Sequence, residues 1–165
     1  MSDLFSTGVI PLVNQYLQEE SEKVRDYGDY WSASSAGYCM RKVIFDRLQV
    51  PHVTEDARKQ RVFSSGHVFH SWIQDITKAA GVSLAQEWEV QDEDIMVRGH
   101  FDDLLLIEKK LMLVDYKTQN SRAFVWAKKN PKPMSHYHQS QLGTYIYILR
   151  KLAKKELKRR QNGGK

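Results

Sequence analysis

Residues 99–118 read GHFDDLLLIEKKLMLVDYKT, two apolar runs separated by a short charged turn. Each run has the length of a strand, and a turn as short as Glu108 to Lys110 predicts antiparallel neighbours. Into this hairpin the sequence puts Asp102, Asp103, Asp115 and Lys117. Charge in an apolar sheet is costly unless it is paired or bound to a metal, so the stretch is either salt-bridged or chemically active. Side chains alternate along a strand. Asp115 and Lys117 therefore share a face with Leu111 and Leu113, whereas Val114, Tyr116 and Thr118 face the other way. Asp102 and Asp103 point to opposite faces, and only one of them can join Asp115. Gly99 precedes them where a missing side chain admits close approach to the backbone.

A pair of carboxylates is what Mg²⁺ takes from a protein when substrate phosphate and water complete its shell. A lysine two residues from such a ligand can hold the attacking water or oppose charge that develops on phosphate. Taken alone, Asp115 and Lys117 are equally an ion pair at a sheet edge.

Working outward, residues 83–90 (SLAQEWEV) predict a further strand, and the first strand of the hairpin extends back to Ile95 across a QDED turn. The amino-terminal half has helical spacing instead. Val9, Leu12, Val13, Tyr16 and Leu17 mark a helix over 8–24, and Met40, Ile44 and Leu48 a second that ends before Pro51. Between them YGDYWSASSAG breaks the pattern and offers serines to cap the second helix. A third helix, 55–80, is expected to bury Val62, Phe69, Ile73, Ile76 and Ala80 and to close at Gly81. After the hairpin, QNSRAFVWAKKNPKP reads as a polar, proline-punctuated loop, and a last helix starts near Ser135.

Two helix pairs add to the hairpin. His70 lies four residues after Gly66, and Tyr145 four after Gln141, so each pair shares a helix face. A helical G-x-x-x-H, a G-x-x-D strand, a D-x-K strand and a Q-x-x-x-Y helix, in that order, resemble the PD-(D/E)XK nuclease superfamily. The serine-rich entry and C-x-R helix in SASSAGYCMRKVIFDRL are similar to its RecB-like branch, near the CRISPR-associated exonucleases that carry four cysteines. The resemblance spans Ser32 to Tyr145. It implies an α/β fold with a restriction-endonuclease-like core, a small central mixed sheet flanked by helices and an N-terminal helical section. It implies that His70, Asp102, Asp115 and the carbonyl of Tyr116 ligate Mg²⁺ or Mn²⁺, and that Lys117 is the catalytic lysine. Gln141 and Tyr145 would position the DNA strand or the catalytic groups. Cys39 matches the first of the four cysteines, but it is the only cysteine in the chain, so no iron–sulfur cluster is expected. A single cysteine also excludes an internal disulfide and suits a reducing compartment.

The chain has 165 residues and a net charge of +5, which permits a polyanionic partner. Arg122, Lys128, Lys129 and Lys132 interleave with Phe124 and Trp126 before the last helix, and are the residues expected to contact DNA. Lys151, Lys154, Lys155, Lys158, Arg159 and Arg160 form a basic tail that is a second candidate or simply a solvated helix end. The reading is one nuclease domain over 1–165: a helical section to 81, the sheet and last helix to 160, and a flexible tail over 161–165. Its expected activity is metal-dependent hydrolysis of DNA, by exonuclease action, in recombination, repair, phage replication or spacer acquisition. The partners would be DNA ends or single strands and a recombination, replication or CRISPR adaptation protein. The rival is a non-catalytic DNA-binding or assembly module that keeps the fold; an RNA-binding domain lacks a recognisable motif. With neither a signal-peptide pattern nor an apolar run of membrane-spanning length, a cytoplasmic protein of a bacterium, archaeon or phage-infected host is expected.

Overall fold

The computed structural model describes residues 8–22, 28–50 and 56–163. In chain order they form α1 (Val9–Glu22), β1 (Trp31–Ser32), a 3-10 turn (Ala33–Ser35), α2 (Met40–Arg47), α3 (Ala57–Ala79), β2 (Ser83–Asp92), β3 (Val97–Ile107), β4 (Lys110–Val114), α4 (Ser121–Lys129) and α5 (His136–Gln161). The end of the first predicted helix, Pro51 and the last residues of the predicted tail lie outside the described residues. This is an α/β fold with a small mixed sheet of four strands flanked by helices.

β3 is the hub. β2 pairs with it antiparallel from Val97 to Leu105, β1 pairs parallel at Val97 and Arg98, and β4 pairs antiparallel from Asp103 to Ile107. Because β2 shares both ends of β3 with the other two strands, β1 and β4 must lie on the opposite edge from β2. Between them that edge has no strand partner over Gly99–Asp102. The hairpin turn is tight, with Glu108 and Lys109 both at positive φ (49° and 64°), the backbone twist that two-residue hairpins need. Burial alternates along β3, and Phe101 packs with Ala33, Val90, Tyr145 and Ile148 in a small core.

Several expectations are corrected. The serines after Trp31 do not cap α2; Ser32 pairs with β3 and Ser35 donates to the Ser32 carbonyl at 2.9 Å, which closes the 3-10 turn. Ile95 and Met96 belong to the turn after β2, and β3 starts at Val97. The stretch read as a loop contains α4, whose start is fixed by the Asn120 side chain accepting from Ala123 N at 2.8 Å. The apolar stripe of α3 is not buried as expected: Val62, Phe69, Ile76 and Ala80 are exposed and only Ile73 is half-buried; Val9, Leu12 and Tyr16 of α1 are exposed as well.

The face that α3 buries is polar and small. Gln60, Gly66 and Gln74 are its buried residues. Gln60 donates to Gln18 and Ser21 of α1 at 3.2 and 3.1 Å, and a side chain on Gly66 would press on Thr118 at 3.1 Å. Hydrogen bonds to defined partners, not apolar area, therefore set the rotation of α3. No helix among the described residues is long and apolar enough to cross a membrane.

At the other end of β3, α5 is locked to the β2–β3 turn. Lys151 Nζ lies 2.7 Å from both oxygens of Asp92, whose side chain is 1% exposed, and it also reaches Asp94. Hydrogen bonding from Lys151 holds the Asp92 carboxyl below its ordinary range. A depressed carboxyl pKa contributes stability above the unfolded value and loses it as pH falls through the folded one. The melting temperature of Asp92→Asn should therefore trail the wild type at pH 7, and the gap should close as pH drops below about 4. A gap that persists undiminished in strong acid would show that the charge does not hold the turn.

Candidate active site

β4 ends at Val114, opposite Asp103, and the chain then leaves the sheet. What replaces the next rung of the ladder is a side chain: Tyr116 N donates to Asp102 Oδ2 at 2.6 Å. The splayed segment carries Asp115 and Lys117 out over the unpaired stretch of β3. Lys117 Nζ approaches Asp115 at 2.8 and 3.0 Å, and the Asp115 side chain is only 6% exposed. Asp115 and Lys117 come together as expected, although in an irregular segment rather than in a strand. From α3, His70 Nδ1 stands 3.7 Å from Asp102 Oδ2. From α5, Gln141 Nε2 donates to Asp115 Oδ1 at 3.0 Å.

The two adjacent aspartates have different work. Asp103 is fully buried and accepts from Thr77 Oγ1 and Ser83 Oγ at 2.6 Å, Tyr116 OH at 3.1 Å and Gln86 Nε2 at 3.3 Å. Its oxygens are committed to cross-linking α3, β2, β3 and the splayed segment. Asp102 has the one backbone donor and faces His70 and Asp115. Burial raises its carboxyl above the ordinary range, and the Asp115 charge adds to the shift against hydrogen bonding from Tyr116.

Around these groups lies a layer that fixes their positions. Tyr145 is buried, and its OH donates to the His100 carbonyl at 2.7 Å. Burial pushes its pKa up to about 12, with the Asp115 and Asp102 charges adding, so the phenol stays a donor at neutral pH. Gly99 makes this contact possible, since a Cβ there would sit 2.9 Å from both Tyr145 OH and the Ala33 methyl group. Gln74 Nε2 bridges the Asp102 carbonyl (2.9 Å) and Glu87 Oε1 (2.8 Å). Gln74 was legible only as the residue four after His70 on the same helix face. Glu87 falls between the pairs Gln86–Asp103 and Trp88–Phe101, opposite Asp102, with φ +47°. No spacing rule could have found it before the register was known.

The structure thus brings together His70, Asp102, Asp115, Lys117, Gln141 and Tyr145. Arg122, Trp126, Lys128, Lys129 and Lys132 lie apart from that list, exposed on α4 and just beyond it, with Lys132 Nζ 4.9 Å above the Trp126 ring. In the basic tail Lys151 is the Asp92 clamp, and Arg159 and Arg160 pair with Glu156 at 2.8 Å.

Among the described residues no three His, Cys, Asp or Glu side chains are arranged to enclose a metal ion. The donor set nevertheless suits a hard divalent cation. Burial first, and then the Asp115 charge, raises the Asp102 carboxyl, and a cation between the two carboxylates would offset both effects. His70 and the Tyr116 carbonyl are the further residues that could complete such a shell; imidazole favours Mn²⁺ over Mg²⁺. No protein-family model, no curated protein and no solved structure matches the chain.

The contrast between the aspartates is testable. Asp103→Asn should lower unfolding stability by on the order of 3 kcal/mol, because donors aimed at a buried carboxylate lose their acceptor. Asp102→Asn should keep or raise the melting temperature, since it removes like-charge repulsion. Denaturant titration of both variants checks the pair; equal losses would mean that Asp102 is structural too.

Proposed function

We propose that the protein is a metal-dependent deoxyribonuclease with a PD-(D/E)XK site of the RecB-like kind, on a restriction-endonuclease-like core. The observation that carries this reading is the convergence of four short motifs, far apart in the chain, on the unpaired edge of β3. A surface ion pair would need Asp115 and Lys117 alone. It would not need a second carboxylate set against the first, a histidine facing that carboxylate, or a glutamine holding Asp115.

His70, Asp102, Asp115 and the Tyr116 carbonyl would hold the cation. When bound, Mg²⁺ or Mn²⁺ would polarise the scissile phosphate and favour ionisation of water. Lys117 opposes charge that develops on the phosphate and orients the attacking water, a compact ammonium suited to a point contact. Gln141 keeps Asp115 aimed. Tyr145, committed to the His100 carbonyl, fixes the β3 backbone two residues before Asp102 and does not touch substrate. Arg122, Trp126, Lys128, Lys129 and Lys132 would receive the flanking DNA backbone, with a salt-dependent affinity. Exonuclease action within recombination, repair, phage replication or spacer acquisition, beside a protein of that machinery, is the setting that the resemblance suggests.

Labelled DNA should be cut in Mn²⁺, more slowly in Mg²⁺, and not in EDTA. Lys117→Ala should bind DNA as the wild type does and cleave it about 10²–10³-fold more slowly in single turnovers, as expected for a group that acts in the transition state. DNA binding by the wild type without cleavage in either metal would leave a binding module instead.

A further inference from the structure

Beside Lys117 and Gln141 opens a cleft of about 300 Å³. One wall is the 3-10 turn with Ser32, Ser34 and Ser35, another is Tyr38 and the start of α2 with Lys42, and the third is α5 with His138. The lining combines serine and tyrosine hydroxyls, the Gln141 amide, His138 and Val43 with two ammonium groups, each held by a carboxylate: Lys42 by Asp46 at 2.6 Å and Lys117 by Asp115 at 2.8 Å. Ser32 Oγ and Ser34 Oγ lie 2.7 Å apart, which uses one of their protons and leaves the other to donate outward. Hydroxyls beside an exposed lysine, Lys42, that can exchange its carboxylate for a phosphate are phosphate-binding chemistry, and the cleft adjoins the lysine that the reaction would use.

The rim has a second character. Tyr38 and Tyr137 stack with ring centroids 5.3 Å apart and planes 20° from parallel, yet they are 49% and 39% exposed. An aromatic stack left open to solvent is a platform for a further flat ring. Gly37 (φ +83°) lets the loop lie directly on α5, where a Cβ would come within 2.8–2.9 Å of Ser140 and Tyr137. The cleft volume is at the low end of sites that take small molecules, the scale of one nucleotide.

We infer that this cleft is a subsite for single-stranded DNA, which takes one phosphate against Ser32, Ser34 and Lys42 and stacks the adjoining unpaired base on the Tyr38–Tyr137 pair. The inference rests on the nuclease reading for its place beside the scissile bond, and it makes the substrate a single strand or frayed end.

The test is fluorescence anisotropy of the full chain in EDTA, with labelled oligothymidylate and with a blunt duplex of the same length. The wild type should bind the single strand more tightly. Tyr38→Ala should weaken that binding about tenfold, while Tyr38→Phe, which keeps the ring, should bind nearly as the wild type does. Ser34→Glu changes an exposed position, so folding is not at stake; its carboxylate should also weaken oligothymidylate binding about tenfold by repelling phosphate. Unchanged oligothymidylate affinity in Tyr38→Ala and Ser34→Glu, or a blunt duplex bound as tightly as the single strand, would overturn the subsite. Because no metal is present, these results stand whether or not the wild type cleaves DNA in Mn²⁺, so the two readings fail separately.

Discussion

The backbone N–H of Tyr116 donates to the Asp102 carboxylate where a strand ladder would have continued, and the arrangement of the site follows from that substitution. Had residues 115–118 kept pairing with β3, Tyr116 N would have met a strand carbonyl and the Asp102 carboxylate would have lost its backbone donor. Instead β4 stops at Val114, β1 covers only Val97 and Arg98, and the backbone between them is open on that edge. α3 and α5 then supply the side chains that close the gap: His70 toward Asp102, Gln141 toward Asp115, and Tyr145 onto the His100 carbonyl. A break in a sheet normally exposes unpaired backbone groups. Here side chains answer two of them, Tyr116 N and the His100 carbonyl.

That solution places unusual weight on polar contacts. α3 meets the sheet through Gln74 and Thr77 and the segment after β4 through Gly66, and the carboxylate at the centre of that interface, Asp103, accepts from four side chains. Fully satisfied buried networks of this kind fix one geometry closely. The division between a saturated Asp103 and an under-coordinated Asp102 is what separates a structural carboxylate from one free to act. Support from the surrounding side chains, including Tyr145 over Gly99, holds the Asp102 and Asp115 carboxylates in one geometry.

The same polarity explains what could and could not be read from the chain. Strand alternation and a short charged turn made the β3–β4 hairpin legible, and with it the meeting of Asp115 and Lys117. The rotation of α3 was not legible, because an apolar stripe predicts a buried face only where apolar area drives the packing; hydrogen bonds from Gln60, Gln74 and Thr77 turned Val62, Phe69 and Ile76 to solvent. α4 was not legible because it is short and lies next to Pro131 and Pro133, which mark a loop; its start rests on a single side-chain cap at Asn120. The choice between Asp102 and Asp103 depends on donors from α3, β2 and the segment after β4, none of them local in sequence. Four ordered motifs pointed to Asp102 before any of those donors was known, and its exposure to His70 and Asp115 supports that assignment.

Whether the open edge of β3 is a metal centre can be read most directly from anomalous diffraction of crystals soaked in Mn²⁺. The account predicts one strong peak shared by the Asp102 and Asp115 carboxylates, within bonding distance of the His70 imidazole, with Lys117 Nζ drawn away from Asp115. Density that leaves the Lys117–Asp115 ion pair intact, with manganese elsewhere on the protein or nowhere, would contradict it.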